Sequence, residues 1–369
     1  MKILIDLTDH CNAKCPLCSR YKRGNDLSPD ESVNRSQVTI DQFRKWFPTL
    51  EGIEQIYFQG SFGEPSLCND ILEIASYIVG VDRSCNKIKD NNTKLLMSTN
   101  GGTRNKPFWN RLGDIFSEAP QGSYVIWSID GVKDTLQKYR VNVDYDRVIK
   151  NAREFIKTGG PAVWRMLVFK HNQHQVNTAR TISKLMKFQN FTHTKVNNLY
   201  DYSGNGDGKY TYTHKGKTHT LEQADDSRYT ANVGTAHSDS DIKCRYGHGT
   251  NDITLRIDSK GVVHACCYHQ SRLRFFYPDF YINDDPKPAV FGAVENQCGG
   301  VGGQLQELYW ETIIPLIEDQ GGITSLSLDY NNLEKILRSP FYSKTLVQSW
   351  QGKSVCREYC GIKRYKKTC

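Results

Sequence analysis

Residues 1–200 alternate between two hydrophobic periods, and that alternation restricts the fold more than any other feature of the chain. Short apolar, β-branched or aromatic runs occur at Lys2–Leu7, Gln55–Phe58, Lys94–Ser98, Tyr124–Asp130, Val163–Phe169 and around Thr194–Val196. Helical patterns lie between them. Leu67, Ile71, Ile74, Ala75 and Ile78 follow one helix face, and similar stripes run through Tyr145–Lys157 and Val176–Phe188. Strands that alternate with helices imply right-handed β-α-β crossovers and a parallel sheet. Six repeats predict an α/β fold, a partial (β/α)6 barrel of the TIM type. Ligands in such sheets gather at the C-terminal strand ends.

Directly after the first strand, where that rule places a cofactor, stand Cys11, Cys15 and Cys18. The spacing C-x-x-x-C-x-x-C suits one tight loop that presents three thiolates to a single metal site. Structural zinc takes four ligands, usually in two pairs, and a closed ferredoxin-type cluster also takes a fourth cysteine. The next cysteine in the chain is Cys68. Three ligands on a four-iron cluster would leave one iron open to a small molecule. From these residues alone, a zinc site and a non-catalytic iron–sulfur site for electron transfer or sensing remain as alternatives.

This cysteine run resembles the signature of the radical SAM superfamily. The resemblance implies that Cys11, Cys15 and Cys18 hold a 4Fe–4S cluster whose open iron chelates S-adenosylmethionine (SAM). Reductive cleavage would then give a 5′-deoxyadenosyl radical that abstracts hydrogen from a substrate. The residue before the third cysteine is usually aromatic in that family and is Leu17 here, so its backbone would meet the adenine without ring stacking. Gly60-Ser61-Phe62-Gly63-Glu64-Pro65 resembles the Gly-Gly-Glu-Pro motif that receives the methionyl ammonium. Its spacing is altered, and the role carries over to Gly63, Glu64 and Pro65. Ser98-Thr99-Asn100-Gly101 resembles the turn found after the third strand, bringing Ser98 and Asn100 to the cofactor. Ser128-Ile129-Asp130-Gly131 follows the fourth strand. By the same resemblance Ser128 meets the ribose, Arg140 pairs with the methionyl carboxylate as a guanidinium fork, and Asp130 assists. The structural alternative for Arg140 is an ion pair with Asp134 or Asp144.

A second set of cysteines lies in the C-terminal third. Ile253–Ile257, a Gly-bearing turn at Asp258–Gly261, and Val262–Ala265 read as a β-hairpin. Cys244, the hairpin run Gly261-x-x-x-x-Cys266, and the late pair Cys356 and Cys360 resemble the twitch domain, a shortened SPASM domain. The resemblance implies one auxiliary 4Fe–4S cluster closed by four thiolates, which suits electron transfer. Cys267, Cys298 and Cys369 are spare and each is able to replace a ligand. A zinc ribbon is the alternative. Cys68 and Cys85 read as ordinary residues. The organisation is therefore a barrel over 1–200, a polar linker or loop over 201–241, and a cluster domain over 242–369. Within the linker, His214, His219 and His237 lack ligand-like spacing. Two further helices are expected at Leu305–Ile317 and Leu333–Trp350.

No apolar run reaches the roughly 20 residues that cross a bilayer, and the N-terminus lacks a signal-peptide pattern. The expectation is a cytoplasmic protein without membrane association, in which 12 cysteines serve as metal ligands rather than disulfides. The net charge of +8 arises partly from the tail, where Lys353, Arg357, Lys363, Arg364, Lys366 and Lys367 outnumber Glu358. Those cations suit an anionic cluster, or the docking of an acidic reductant of flavodoxin or ferredoxin type. No nucleic-acid fold signature accompanies them. Peptide-modifying relatives often carry a recognition domain before the barrel, whereas this chain starts at the first strand. That points to a small molecule, or to a peptide or protein substrate held by the 201–241 segment. Any of the 20 tyrosines is able to relay a radical in such chemistry, and spacing alone selects none.

Overall fold

The computed structural model describes residues 1–21, 27, 28, 33, 36–196, 208–225, 244, 246–248, 252–288, 311 and 313–346. The chain divides into two compact units, Lys2–Ala231 and Asn232–Cys369 with Met1.

In the first unit six strands pair in chain order: β1 (Lys2–Ile5), β2 (Gln55–Phe58), β3 (Lys94–Thr99), β4 (Tyr124–Ser128), β5 (Ala162–Val168) and β6 (Asn190–Lys195). All five pairings are parallel, with Lys2 opposite Gln55, Gln55 opposite Lys94, Leu96 opposite Tyr124, Val125 opposite Ala162 and Val163 opposite Asn190. Among the described residues β6 does not return to β1, so the barrel is open. The crossovers carry α1 (Ile40–Trp46), α2 (Ile71–Val79), α3 (Lys106–Ser117), α4 (Tyr145–Lys157) and α5 (Val176–Leu185). Three of these starts have a side-chain cap. Thr39 and Gln42 form a reciprocal cap on α1, and the side chains of Asn105 and Asp144 accept from Phe108 N and Arg147 N.

The core tryptophans link packing to the strand ends. Trp109, Trp127 and Trp164 are fully buried, and the first two rings meet at 4.7 Å. Trp109 Nε1 donates to Thr103 O at 3.0 Å, and Trp164 Nε1 donates to Ile129 O at 2.8 Å. The same rings that fill the core thus hold the loops after β3 and β4.

The segment read as a polar linker contains regular structure. Within its described part, β7 (Lys209–His214) and β8 (Lys217–Glu222) form an antiparallel hairpin around Lys215 and Gly216. Tyr210, Tyr212 and Leu221 turn inward, and the hairpin joins the barrel where Lys170 N donates to Glu222 O at 3.0 Å. Its alternation is one of tyrosine and threonine, which a search for aliphatic runs passes over. His219 stacks on Tyr212 at 5.2 Å.

The second unit contains the expected hairpin, β9 (Thr254–Ile257) against β10 (Val263–His264). Helices α6 (Cys267–Phe276), α7 (Pro278–Asn283), α8 (Ile314–Glu318) and α9 (Leu333–Arg338) follow. Of the expected helix at Leu305–Ile317, the described part is the start of α8. The helix expected over Leu333–Trp350 stops at Arg338. Ser339 precedes Pro340 and is driven to φ −59°, ψ 153°, outside the helical region. A short π-helical turn, Phe341–Thr345, follows. Among the described residues no helix is long and apolar enough to cross a membrane.

Candidate active site

Four loops meet at the C-terminal ends of β1 to β4. The loop after β1 carries Cys11, Cys15 and Cys18. It is fastened to the loop after β2, where Glu64 N donates to His10 O at 2.7 Å. Gly63 permits that contact, because a Cβ there would lie 1.8 Å from Thr8 O. Arg20, 6% exposed, donates through Nη1 to the carbonyls of both Asp9 and Phe62, clamping the two loops together. On the other side Lys14 N donates to Val141 O at 2.9 Å.

These loops enclose a cavity of about 210 Å³. Its walls include the thiols of Cys11, Cys15 and Cys18, together with Gly63, Glu64, Pro65, Ser98, Asn100, Ser128 and Arg140. The structure therefore brings together ten of the residues singled out from sequence. It also adds Ala13, Arg20, Gly60, Thr99 and Tyr139. Among the described residues no three His, Cys, Asp or Glu side chains converge on a single ion.

Each thiol has one N–H donor. Asn100 Nδ2 lies 4.0 Å from Cys11 Sγ, Arg140 Nη1 lies 3.7 Å from Cys15 Sγ, and the Arg20 backbone amide faces Cys18. Burial pushes the bare Cys11 thiol up to about 12, with the Glu64 charge adding to the effect. Burial takes Cys15 to about 11 against the opposing pull of Arg140, and raises Cys18 likewise. Three soft sulfur donors with N–H partners match an iron–sulfur cluster, whose potential is tuned by such bonds. Loading a metal releases the thiol protons.

Glu64 is 3% exposed and heavily hydrogen-bonded. Its Oε1 accepts from Ser66 Oγ at 2.7 Å and Thr99 Oγ1 at 2.6 Å, and its Oε2 accepts from Asn100 N at 2.7 Å. Burial raises its pKa, and these donors work in the opposite direction. Asn100 is held in turn by its bond to Asn12 Oδ1 at 2.8 Å, and Gly101 takes the left-handed conformation (φ 69°) that the turn requires.

Two predicted residues stand outside the cavity wall. Leu17 is half-buried beside it. Asp130, 1% exposed, sits behind Arg140. Its Oδ2 accepts from Arg140 Nε at 2.6 Å and its Oδ1 accepts from Leu167 N at 2.6 Å. The ion-pair partner of Arg140 is thus Asp130, rather than Asp134 or Asp144. Burial is the largest influence and opposes the Arg140 charge, but the charge and hydrogen bond of Asp130, with Cys15 adding to them, together hold the guanidinium cationic. Arg20, Thr99 and Tyr139 were not read from sequence, since each contributes by tertiary placement. For Thr99 a signal existed in its neighbours Ser98 and Asn100.

In the second unit Cys244 is half-buried, while Cys266, 8% exposed, flanks the N-terminus of α6 in extended conformation. Cys267 is exposed. Cys298, Cys356, Cys360 and Cys369 lie outside the described residues.

Comparison with known proteins adds the following. No protein of curated function matches the sequence. Among solved structures, Streptococcus suis SuiB bound to S-adenosylmethionine aligns at 16% identity and a TM-score of 0.49, covering 98% of this chain and 76% of that one. Native anSMEcpe with bound AdoMet aligns at 15% identity and a TM-score of 0.49, covering 97% and 89%. Methylornithine synthase (PylB) aligns at 14% identity and a TM-score of 0.36, covering 52% of each chain. The family model of the Radical SAM superfamily matches residues 5–182, a stretch that contains every wall residue of the cavity, and that match identifies this stretch as a radical SAM domain.

Proposed function

We propose that this enzyme binds a 4Fe–4S cluster on Cys11, Cys15 and Cys18 and cleaves SAM reductively to begin hydrogen abstraction from a substrate. One observation carries the reading: three thiols, the Glu64 loop, Ser128 and the Arg140 guanidinium line a single cavity at the strand ends. When bound, the cluster supplies the electron that breaks the sulfonium, giving methionine and a 5′-deoxyadenosyl radical.

The chain's own residues prepare that event. Arg140, kept cationic and aimed by Asp130, receives the methionyl carboxylate. The Gly63–Pro65 loop receives the ammonium, with Glu64 fixed by Thr99, Ser66 and Asn100 so that it does not reorganise on binding. Ser98, Asn100 and Ser128 meet the nucleoside side, and Leu17 contributes backbone. The N–H donors at the three sulfurs favour the reduced, more negative state. An external reductant of flavodoxin or ferredoxin type delivers the electron.

The domain expected over 242–369 would hold an auxiliary 4Fe–4S cluster on Cys244, Cys266, Cys356 and Cys360, a group that would supply a one-electron acceptor for substrate oxidation. The position of Cys266 beside a helix N-terminus supports a thiolate there. The substrate is a small molecule or a peptide.

Anaerobic reconstitution with iron and sulfide, followed by dithionite and SAM, tests both parts. The reading expects 5′-deoxyadenosine and methionine, lost in Cys15→Ala. The triple variant Cys11→Ala/Cys15→Ala/Cys18→Ala should keep the iron of the auxiliary site. A colourless, zinc-bearing wild type refutes the proposal, and an iron-free triple variant removes the auxiliary cluster from it.

A further inference from the structure

Two guanidinium groups line the cavity that holds the three thiols, those of Arg20 and Arg140. Arg140 has its counter-ion in Asp130, 2.6 Å away. Arg20 is 6% exposed, and among the described residues no carboxylate stands within ion-pair distance of it. Its Nη1 donates to the carbonyls of Asp9 and Phe62, and its buried Nε meets no acceptor. The buried carboxylates of the surrounding loops accept from other donors. Asp6 Oδ1 takes Ser61 N at 2.8 Å, Asp9 Oδ2 takes Ser36 Oγ at 3.1 Å, and Glu64 takes Ser66, Thr99 and Asn100. The Tyr21 hydroxyl also stands beside the Arg20 guanidinium, and burial pushes that phenol up to about 12, so it carries no charge.

A buried charge is costly unless it is paired. Two carbonyls orient the Arg20 guanidinium, but they do not neutralise it. The groups its charge does act on are the thiols: burial raises Cys11 and Cys18, and Arg20 pulls both down. Glu64 works against it at Cys11, and Asp6 works against it at Cys18. Arg140 acts on Cys15 and Cys18, with its charge already shared by Asp130.

We infer that Arg20 is the counter-cation of the cluster on Cys11, Cys15 and Cys18 and raises its reduction potential, an inference that rests on the proposed cluster. A four-iron core on three thiolates is anionic, and reduction adds one more negative charge. A fixed cation in a buried, weakly screened site favours that addition. The two carbonyl bonds hold the charge beside the cysteine loop as well as tying the loops together. The two arginines thus divide the work. Arg140, balanced by Asp130, is left to meet the cofactor, and Arg20 balances the cluster. Arg20 acts through the cluster's potential and is not a catalytic residue.

Charge and clamp separate in two variants. Arg20→Gln keeps an N–H donor and removes the charge, whereas Arg20→Lys keeps the charge without the planar fork. Each reconstituted protein is titrated with dithionite against redox mediators in the absence of SAM. The reading is the electron paramagnetic resonance signal that is missing from the Cys11→Ala/Cys15→Ala/Cys18→Ala variant. Arg20→Gln should titrate at a more negative potential than wild type, with Arg20→Lys close to wild type. Iron lost from Arg20→Gln but kept in Arg20→Lys at the wild-type potential supports the same role, since the cluster then needs the charge to be held. A potential in Arg20→Gln equal to that of wild type overturns the inference, as does an Arg20→Lys that matches Arg20→Gln in iron content and potential; Arg20 is then a clamp alone. A wild type without that signal overturns the cluster reading itself.

Discussion

Arg140 and Cys15 are 125 residues apart in sequence, yet Arg140 Nη1 lies 3.7 Å from Cys15 Sγ while Nε of the same guanidinium is bonded to Asp130 at 2.6 Å. One side chain thus joins the buried carboxylate after β4 to the cysteine loop after β1. Truncation as Arg140→Met would leave Asp130, 1% exposed, with Leu167 N as its remaining side-chain contact. Breaking a buried pair from one side costs about 3 kcal/mol, and urea denaturation of the metal-free chain should read a loss of that order. Arg140→Met/Asp130→Asn should regain much of the stability but no SAM retention in equilibrium dialysis. Recovery of both would show the pair to be structural alone.

Glu64 offers a test of polarity at constant shape. Its carboxylate faces Ser66, Thr99 and the Asn100 amide, all of them donors. Glu64→Gln turns one acceptor into an N–H₂ group pointing at a donor, and leaving such a buried group unsatisfied costs about 2 kcal/mol. The expected outcome is a lower unfolding midpoint together with weaker SAM binding. An unchanged midpoint would mean the network rearranges freely around the amide.

Gly63 is the point of closest approach between the β1 and β2 loops. Gly63→Ala would place a methyl group 1.8 Å from Thr8 O, a backbone atom that cannot swing aside. Overpacking of this kind costs about 1–3 kcal/mol, and the strain falls two residues from His10 and three from Cys11. Iron bound per chain after reconstitution should therefore drop, even where circular dichroism shows the fold retained. Full iron loading in the variant would show the two loops to be separable.

The barrel was legible because its strands β2, β3 and β4 are apolar runs bounded by polar turns, and each turn carries chemistry that local residue types announce. Cysteines, a Gly-Glu-Pro run and a Thr-Asn-Gly turn can be read in place. What could not be read was partnership across the sheet. Asp130 and Arg140 sit ten residues apart, and nothing in one dimension says that the carboxylate backs the guanidinium rather than facing the cavity. The role of Arg20 as a clamp and the place of Tyr139 in the cavity wall are likewise products of packing. Hairpin β7–β8 escaped because its inward residues are two tyrosines and a single leucine and its outward ones mostly threonines and lysines, a period-two pattern of low contrast. The break at Ser339 had a signal in Pro340, since a residue before proline is driven out of the helical region, and the helix expected unbroken over Leu333–Trp350 passed over it.

Acid sensitivity follows from buried histidines in both units, with His248 and His264 lowered by burial as well as the two strongest cases, His171 and His269. Burial lowers His171 to about 4, with the Lys138 charge adding to the effect. Burial lowers His269 to about 3, helped by His248. Both rings are neutral when folded and take up a proton on unfolding once the pH falls below about 6.5. The unfolded chain then binds more protons, so stability declines as the pH drops. For the fully buried His269 the slope is about 1.4 kcal/mol per pH unit between roughly pH 6.5 and its folded value. Urea midpoints should be flat from pH 7 to 8 and fall steadily from pH 6.5 to 4.5. His269→Gln, which cannot titrate, should lessen that decline for the second unit, where His248 and His264 keep their own shares, with the barrel retaining the share owed to His171. A decline of equal slope in His269→Gln would assign the acid response to other groups.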